Sequence, residues 1–290
     1  MANPLVLKRR IKTAQNVSKT TRAMQMIAAS KLKRAQETTL GARPYVEKLT
    51  TLCRELSTKV DNDKLHPYMK SNNSNSTLIL VFSPDKGLCG GLITNLLRDF
   101  LNLDKKEDNI YLAIGKKMEN NIARFKKTLI ASFPFGNTLP GLDMVYPVQR
   151  IIDDYYLNNK VSSVKVLYTH FTSFFSQTTK LETILPLSFT ETEPEKPLDL
   201  KKEPSFEIFE PDVTTLLPPL LEHYLQMSIY QHLLESFLSE QASRMFAMQN
   251  ATNNAKDIIW ELELEYNKIR QEKITNEILD ISSASLFTPV

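Results

Sequence analysis

The segment of this chain with the most chemical potential is Asp85–Gly91 (DKGLCGG), which holds three of the seven glycines. In dinucleotide-binding folds, glycines between a strand and a helix let backbone N–H groups approach a pyrophosphate at the helix N-terminus. The segment matches neither G-x-G-x-x-G nor G-x-x-x-x-G-K-[ST], and no acidic residue follows at the end of a second strand to hold a ribose. A tight turn with unusual backbone dihedrals is the simpler interpretation.

Cysteines and histidines give no catalytic or metal-binding pattern. Cys89 has Lys86 near in sequence and a helix N-terminus beside it, which could lower a thiol pKa, but no histidine base is close. Cys53 and Cys89 have neither metal-ligand spacing nor a disulfide framework. The four histidines are scattered: His66, His170, His223 and His232. The sequence therefore predicts no catalytic residue, no metal ligand and no bound cofactor.

The glycine segment lies between a predicted buried strand, Thr77–Ser83, and a predicted helix, Leu92–Leu103. The other predicted elements are strands at Ile110–Ile114, Val164–Thr169, Leu181–Phe189 and Ser205–Phe209, and helices at Gly115–Arg124 and Val145–Asn158. Strands that alternate with helices predict an α/β domain with a mostly parallel sheet covered on its faces. Thr190–Pro204, acidic and interrupted by prolines, is predicted to be a loop.

A very long helix is predicted at the C-terminus, because Leu220–Thr288 contains no glycine or proline. Its apolar residues alternate at spacings of three and four, a 3.5-residue period that is typical of a coiled coil. Gln241 and Thr252 interrupt this pattern, and Pro218-Pro219 is predicted to open the helix. The apolar positions are Leu234, Leu238, Met245, Met248, Ala255, Ile259, Leu262, Tyr266 and Ile269. At about 1.5 Å per residue, the helix extends roughly 90 Å.

The N-terminus offers a partner helix, since Leu5–Leu40 also lacks glycine and proline. A noisier apolar stripe continues beyond Arg43-Pro44, where a proline kinks a helix without ending it. The stripe comprises Leu7, Ile11, Ala14, Val17, Met24, Ile27, Ala28, Leu32 and Ala35, followed by Tyr45, Val46, Leu49 and Leu52. We expect an antiparallel coiled coil formed by residues 1–58 and 216–285, with a Rossmann-like α/β domain (75–210) inserted between them. Two helices of an ordinary bundle are the alternative.

Charge is distributed unevenly along the chain. Residues 1–36 carry nine basic residues and no acidic one, which leaves 27 basic against 33 acidic residues elsewhere. Four interpretations are open: a solvated face, a nucleic-acid or anionic-membrane patch, a transit peptide, or a surface that matches an acidic protein. Nucleic-acid binding is disfavoured because no aromatic residue precedes Tyr45. No stretch approaches the ~20 apolar residues of a membrane span.

Several motifs resemble the gamma subunits of F-type ATP synthases, in the right order and over nearly the whole chain. They are Leu7–Lys12 (LKRRIK), Thr21–Leu32 (TRAMQMIAASKL), Arg43–Tyr45 (RPY), Gly87–Gly91 (GLCGG), Ser239–Met248 (SEQASRMFAM) and Glu265–Glu277 (EYNKIRQEKITNE). The resemblance implies a central rotor shaft that transmits torque between a proton-driven membrane ring and catalytic sites on other subunits. The chain itself is then not an enzyme and binds no cofactor.

The resemblance also implies partners and contact residues. The expected partners are the alpha and beta subunits of the catalytic ring, the epsilon subunit and the membrane c-ring. The expected contact residues are Lys8, Arg9, Met24, Cys89, Arg244, Arg270, Gln271 and Thr275. Without a cleavable leader or the paired-cysteine insertion of chloroplast forms, the expected location is the cytoplasmic side of a bacterial plasma membrane. A basic coiled-coil scaffold that binds nucleic acid is the alternative function, and a nucleotide-dependent oxidoreductase is a more distant one.

Overall fold

Two helices much longer than those of ordinary globular proteins begin and end the structure. The computed structural model describes residues 4–60, 65–103, 108–189 and 210–286, with the side chains at 43, 108 and 283–286 excepted. Helix α1 covers Pro4–Thr58, and the C-terminal helix, α5, covers Val213–Leu286. Both long helices are thus confirmed, and Pro44 lies within α1 without ending it.

The chain divides into two compact units. The coil unit comprises residues 1–29 and 244–290, and the sheet unit comprises residues 30–243. Each long helix contributes to both units, so the compact units do not follow the helix ends that define the predicted 1–58, 75–210 and 216–285 division.

The buried side of α5 matches the predicted coiled-coil period. From Asn253 to Ser282, the side chains that are not exposed are Ala255, Ile259, Leu262, Tyr266 and Ile269. Gln241 and Thr252, the two polar positions in the series, are buried as well. From Arg270 to Ser282 every side chain is exposed.

The buried side of α1 differs from the predicted stripe. Val17, Met24 and Ile27 are exposed, whereas the polar Ser18, Thr21 and Gln25 face inward. The inward positions follow a strict four–three alternation through Pro44: Leu7, Ile11, Ala14, Ser18, Thr21, Gln25, Ala28, Leu32, Ala35, Thr39, Ala42, Val46, Leu49, Cys53 and Leu56. A geometric period of 3.5, rather than hydrophobicity at each position, therefore decides which residues of α1 are covered.

The sheet unit contains a five-stranded sheet of order β3-β2-β1-β4-β5. Its elements, in chain order, are β1 (Ser76–Phe82), α2 (Leu92–Leu103), β2 (Asp108–Ile114), α3 (Lys116–Arg124), β3 (Leu129–Phe133), α4 (Val145–Tyr156), β4 (Ser163–Phe171) and β5 (Gln177–Leu185). Strands β1 to β4 are parallel and β5 is antiparallel to β4. Six of the seven residues of β1 are buried, as expected of a parallel strand covered on both faces.

Helices cover both faces of this sheet. Helices α2 and α3 pack on one face through Leu96, Phe100, Met118 and Ile122, which form one apolar cluster with Leu167 of β4. The next residue of β4, Tyr168, points to the opposite face, where its ring lies 4.5 Å from that of His232 in α5. Residues 232–242 of α5 are all buried.

Some predicted elements shift or are missing. Strand β3 was not predicted, because its five residues, four half-buried and one exposed, give little periodic signal. The fifth strand begins four residues earlier than predicted and ends at Leu185. Helix α5 begins at Val213, so Pro218 and Pro219 lie inside it and do not open it. The loop predicted at 190–204 and the strand predicted at 205–209 lie outside the described residues.

Among the described residues, no helix is both long and apolar enough to cross a membrane.

Candidate partner-contact surface

Asp85, in the glycine segment, is a structural residue that binds neighbouring backbone. Its carboxylate accepts hydrogen bonds from the backbone N–H groups of Lys116 (2.9 Å), Phe135 (3.2 Å) and Gly136 (2.8 Å). Lys116 begins α3, so the carboxylate also places negative charge at a helix N-terminus. Asp85 therefore joins the ends of β1, β2 and β3 at the carboxyl edge of the sheet.

Gly115 gives the second reason for the geometry of this edge. Its φ is +110°, and a Cβ atom at this position would lie 1.8 Å from the backbone oxygen of Ser83. The Ser83 hydroxyl in turn donates to the Gly115 carbonyl and accepts from the backbone N–H of Met118. The glycine is thus required for β1 and α3 to approach one another.

The glycine segment itself is a tight turn, with φ of +64° at Leu88 and +58° at Gly90. Cys89 is buried, and its carbonyl accepts a 2.7 Å hydrogen bond from the Ser243 hydroxyl. Leu88 is 62% exposed, so the loop presents Leu88 outward in place of the cysteine. Burial also raises the pKa of the Cys53 thiol to about 12, which keeps it in the unreactive protonated form.

In the coil unit, polar side chains join the two helices. The hydroxyls of Thr21 and Thr252 lie 2.8 Å apart, and the Gln25 side-chain amide donates to that of Gln249. The partner position on α5 decreases as the position on α1 increases, which makes the pair antiparallel. This polar layer lies within the buried seam, where such groups fix the register of a coiled coil.

Because the seam takes polar residues, apolar side chains are left outside it. Val17, Met24 and Ile27 are exposed by 48%, 38% and 57%. Val6, Val17, Ile258 and Leu262 line a shallow groove of about 560 Å³, with Arg9 and Arg10 at its side. Folding of the chain alone gives Val17, Met24 and Ile27 no reason to be apolar, whereas a protein partner that covers them does.

Basic residues in the N-terminal part of α1 lie on the same helix as this apolar surface. Lys8, Arg9, Arg10, Lys12, Lys19, Arg22, Lys33 and Arg34 are exposed, and Lys31 is half-buried. Lys8, Arg9 and Met24, three of the predicted contact residues, are therefore accessible on α1. Exposed guanidinium and ammonium groups beside apolar side chains are suited to an acidic protein surface.

The end of α5 holds three more predicted contact residues. Arg270, Gln271 and Thr275 are exposed, in the segment where no side chain is covered. An apolar stripe runs beside them through Ile274, Ile278 and Ile281, which is 72% exposed. Arg244 is half-buried and makes contacts of its own.

The structure thus places Lys8, Arg9, Met24, Arg244, Arg270, Gln271 and Thr275 in the coil unit and Cys89 in the sheet unit. Sequence reasoning assigned Val17, Met24 and Ile27 to the seam and overlooked Leu88 as the exposed residue of the glycine loop. The strict 3.5-residue period from Leu7 onward is the signal that would have separated these three residues from the seam. Among the described residues, no group of three or more His, Cys, Asp or Glu side chains is arranged to hold a metal ion.

Comparison with known proteins decides the family. A family model described as ATP synthase matches residues 5–285. An ATP synthase gamma chain of Dehalococcoides mccartyi is 40% identical over 284 residues, covering 97% of both chains. The chain belongs to the ATP synthase gamma family. A second gamma chain, from Polaromonas naphthalenivorans, is 37% identical over 287 residues, covering 97% of this chain and 98% of the other.

Chains in solved structures of mitochondrial ATP synthases share the fold. A chain of the Euglena gracilis mitochondrial ATP synthase aligns with a TM-score of 0.68, at 15% identity, over 99% of this chain and 97% of its own length. A chain of the Tetrahymena thermophila central stalk and c-ring aligns with a TM-score of 0.58, at 24% identity, over 80% and 99%. Membership of the gamma family confirms the predicted rotor-subunit function and leaves the nucleic-acid alternative without support.

Proposed function

We propose that the coil unit transmits torque by presenting its exposed basic and apolar side chains to a ring of alpha and beta subunits. The chain is a rotor subunit of an F-type ATP synthase, and the proposal concerns which of its residues bear the load. In this function proton-driven rotation of a membrane c-ring is passed to catalytic sites on the beta subunits. The chemistry resides in those subunits, and this chain supplies no catalytic residue and binds no cofactor.

The observation that carries the proposal is the conflict between sequence and burial on α1. Val17, Met24 and Ile27 are apolar and exposed, while Ser18, Thr21 and Gln25 occupy the buried seam. Exposed apolar side chains cost solvation free energy of roughly 25 cal/mol per Å² relative to burial. A ring that encloses the shaft would recover that free energy.

A rotating shaft must not bind too tightly at one angle. Exposed ion pairs contribute only ~0–1 kcal/mol each, so the eight exposed cations between Lys8 and Arg34 of α1 distribute the attraction to acidic partner loops. Lys8 and Arg9 belong to this set, and Met24 lies among them. The loop around Cys89, which presents Leu88, is proposed to lie near the same moving lobes of the beta subunits.

Arg244, Arg270, Gln271 and Thr275 are proposed to hydrogen-bond ring loops. A guanidinium donates in a planar fork that fits a carboxylate, which suits Arg244 and Arg270 to acidic loops. The sheet unit would bind the epsilon subunit and the c-ring, because solved relatives include assemblies of the central stalk with the c-ring. The bacterial relatives support a location on the cytoplasmic side of a plasma membrane, held there through the complex.

The first test is co-expression of the chain with alpha and beta subunits of the same organism, followed by affinity purification and an ATP hydrolysis assay. We expect one copy of this chain in each ring and faster turnover than in the ring alone. A chain that stays unbound, with ring hydrolysis indifferent to it, would refute the rotor function in this assembly.

A triple variant tests the exposed apolar residues. Val17→Gln, Met24→Gln and Ile27→Gln together should reduce retention in the ring by at least tenfold. A loss of about 1.4 kcal/mol in binding free energy is enough for this, because it lowers the affinity by a factor of ten. The isolated variant should keep its free energy of unfolding, since none of the three lies in the seam. The matched control is Phe125→Gln, Tyr146→Gln and Leu157→Gln, which changes three exposed apolar residues of the sheet unit.

The basic residues are tested in the same assay. Lys8→Gln, Arg9→Gln and Arg10→Gln together should weaken the salt-sensitive part of ring binding and lower coupling. Lys116→Gln, Arg124→Gln and Lys126→Gln remove the same charge from exposed positions of the sheet unit. Equal loss of ring binding in both variants would point to net charge instead of the α1 surface.

Arg244 needs a test that separates contact from folding. Arg244→Ala should weaken assembly or coupling while the isolated chain unfolds at unchanged urea concentration. Arg244→Lys keeps the charge but not the fork, so it should be impaired too if the partner is a carboxylate bound in bidentate fashion. Unfolding of isolated Arg244→Ala would assign the residue a structural role.

A further inference from the structure

The segment of α5 that crosses the sheet is unusually polar for a buried helix. Eleven consecutive residues, 232–242, are buried, and six of them are polar or charged. Leu233, Leu234, Phe237 and Leu238 are the large apolar residues of the segment. The polar residues are His232, Glu235, Ser236, Ser239, Glu240 and Gln241.

His232 of α5 meets a tyrosine and a glutamate from the sheet. The Tyr168 hydroxyl of β4 donates a 2.7 Å hydrogen bond to Oε1 of Glu182 in β5. Oε2 of the same glutamate lies 3.7 Å from Nε2 of His232, too far for a hydrogen bond. Within the described part of the chain, Nδ1 of His232 is buried and has no hydrogen-bond partner.

A second pair lies beside this cluster. Nδ1 of His170 in β4 lies 2.8 Å from Oε2 of Glu235 in α5. The groups that act electrostatically on His232 are therefore Glu182 from β5, His170 from β4 and Glu235 from its own helix. Tyr168 also faces it, but burial and the Glu182 hydrogen bond raise its pKa and keep the phenol neutral.

Geometry makes a protonated His232 unfavourable in the closed junction. An imidazolium donates from both ring nitrogens, and here one nitrogen has no acceptor while the other is 3.7 Å from the nearest carboxylate oxygen. A buried donor without a partner destabilises the closed junction, whereas water would accept its hydrogen bond in an open junction. Accordingly, burial lowers the pKa of His232, although Glu182 and Glu235 raise it.

We propose that His232, Tyr168, Glu182, His170 and Glu235 form a proton-sensitive clamp that loosens α5 from β4 and β5 as the pH falls below neutrality. In the open junction His232 contacts water and binds a proton at its ordinary affinity. The open form therefore takes up one proton that the closed form resists.

The direction follows from linkage. A histidine whose pKa is lower when buried contributes its full stabilisation above the ordinary value of 6.5 and loses it as the pH falls below that value. The open-to-closed ratio should rise by up to about tenfold per pH unit until the pH reaches the pKa of the closed form. Acidification below about pH 6.5 is thus the condition that opens the clamp.

The consequence for torque rests on the proposed function. Residues 213–243 of α5 and the sheet both belong to the sheet unit, and torque that enters at the sheet reaches this part of α5 through contacts such as this one. A clamp that loosens in acid would reduce coupling when the surrounding solution is acidified. This regulation concerns the chain's own structure and needs no additional ligand.

Amide hydrogen exchange of the full chain between pH 7.5 and 5.5, corrected for intrinsic exchange rates, tests the clamp. We expect opening of residues 229–238 and of β4 to increase below pH 6.5. His232→Gln stays neutral, so in this variant the increase in opening should be smaller by up to about tenfold per pH unit. Glu182→Gln removes the negative charge that favours the imidazolium, so it should enlarge the acid response.

The matched control is His66→Asn. His66 is half-buried and, like His232, has a lowered pKa, caused by burial and opposed by Glu222, but its Nδ1 accepts from the Tyr68 backbone N–H elsewhere in the sheet unit. Asparagine preserves that cap, and residues 229–238 should respond to acid as in the unaltered chain. Exchange of residues 229–238 that does not depend on pH, or that rises equally in His232→Gln, would overturn the proposal.

If His232→Gln does not fold, Glu182→Gln alone decides, because a smaller acid response in that variant contradicts the proposal. Failure of the clamp is distinguishable from failure of the rotor function. The exchange experiment uses the chain without partners, whereas ring binding is measured at pH 7.5, where the clamp is closed.

Discussion

The sheet unit and the coil unit use their polar residues in opposite ways. In the sheet unit, the carboxylate of the glycine segment is bound internally, since Asp85 accepts three backbone hydrogen bonds. In the coil unit, the charged groups of α1 are exposed, and neutral side chains such as Thr21 and Thr252 make the internal polar contacts. Residues that resemble a chemical site thus stabilise the fold, and residues that resemble ordinary helix surface are the candidates for function.

This difference shows how each region should respond to substitution. Changes at Asp85 or Gly115 should lower the stability of the isolated chain, whatever partner is present. Changes at Lys8, Arg9 or Met24 should leave the isolated chain stable and alter only its complexes.

Gly115→Ala should have the largest effect on stability. The added Cβ would lie 1.8 Å from the backbone oxygen of Ser83, and φ is +110°. Since backbone cannot yield as a flexible side chain does, we expect a loss of more than about 4 kcal/mol in the free energy of unfolding, or failure to fold. Urea unfolding followed by circular dichroism measures it. A loss below about 1 kcal/mol would show that the edge between β1 and α3 is adaptable.

Asp85→Ala should come next, with a loss of about 3 kcal/mol, because three backbone N–H groups lose a charged acceptor at once. Asp85→Asn keeps one acceptor oxygen, so its free energy of unfolding should lie between those of Asp85→Ala and the unaltered chain. Equilibrium urea unfolding of both proteins gives the order. If Asp85→Ala instead left stability unchanged and lowered only ring-stimulated ATP hydrolysis, the glycine loop would belong with the functional surface.

Thr252→Val tests the polar layer of the coil unit and should cost about 1 kcal/mol, because it removes one member of a buried hydroxyl pair. Adding Thr21→Val replaces both partners by apolar groups of similar shape, so the double variant should regain most of that loss. A double-mutant cycle on thermal unfolding separates the coupling from the two single effects. Additive losses would mean that the two hydroxyls act independently.

Much of the fold was predictable because it depends on local patterns. Helix α2 was predicted with its observed bounds, Leu92–Leu103, since its apolar face and preceding turn are both local signals. The seam of α5 from Ala255 to Ile269 was predictable because its covered positions are also apolar. Strand β3 was missed because its five residues, four half-buried and one exposed, carry no clear alternation.

The candidate site was less predictable, for two physical reasons. The partners of Asp85 lie 31 to 51 residues away in sequence, and nothing local marks them. On α1, hydrophobicity and burial diverge at Val17, Met24 and Ile27, so a stripe chosen by hydrophobicity falls beside the true seam. That divergence is itself informative, because it marks side chains whose apolar character is not explained by folding of the chain alone.

Gly41→Ala should have the smallest effect and the opposite sign to Gly115→Ala. Gly41 lies inside α1, and nothing lies within 4 Å of a Cβ placed there. Alanine is favoured over glycine in a helix interior by about 0.8–1.0 kcal/mol, so the isolated chain should become more stable by nearly that amount. The substitution also stiffens a segment that Pro44 already weakens, because Leu40 lacks the backbone donor that its carbonyl would otherwise bind. Urea unfolding measures the gain, and ring-stimulated hydrolysis measures its functional cost. A chain that becomes more stable and couples equally well would show that Gly41 has no mechanical role, whereas greater stability with weaker coupling would assign this segment to the compliant part of the shaft.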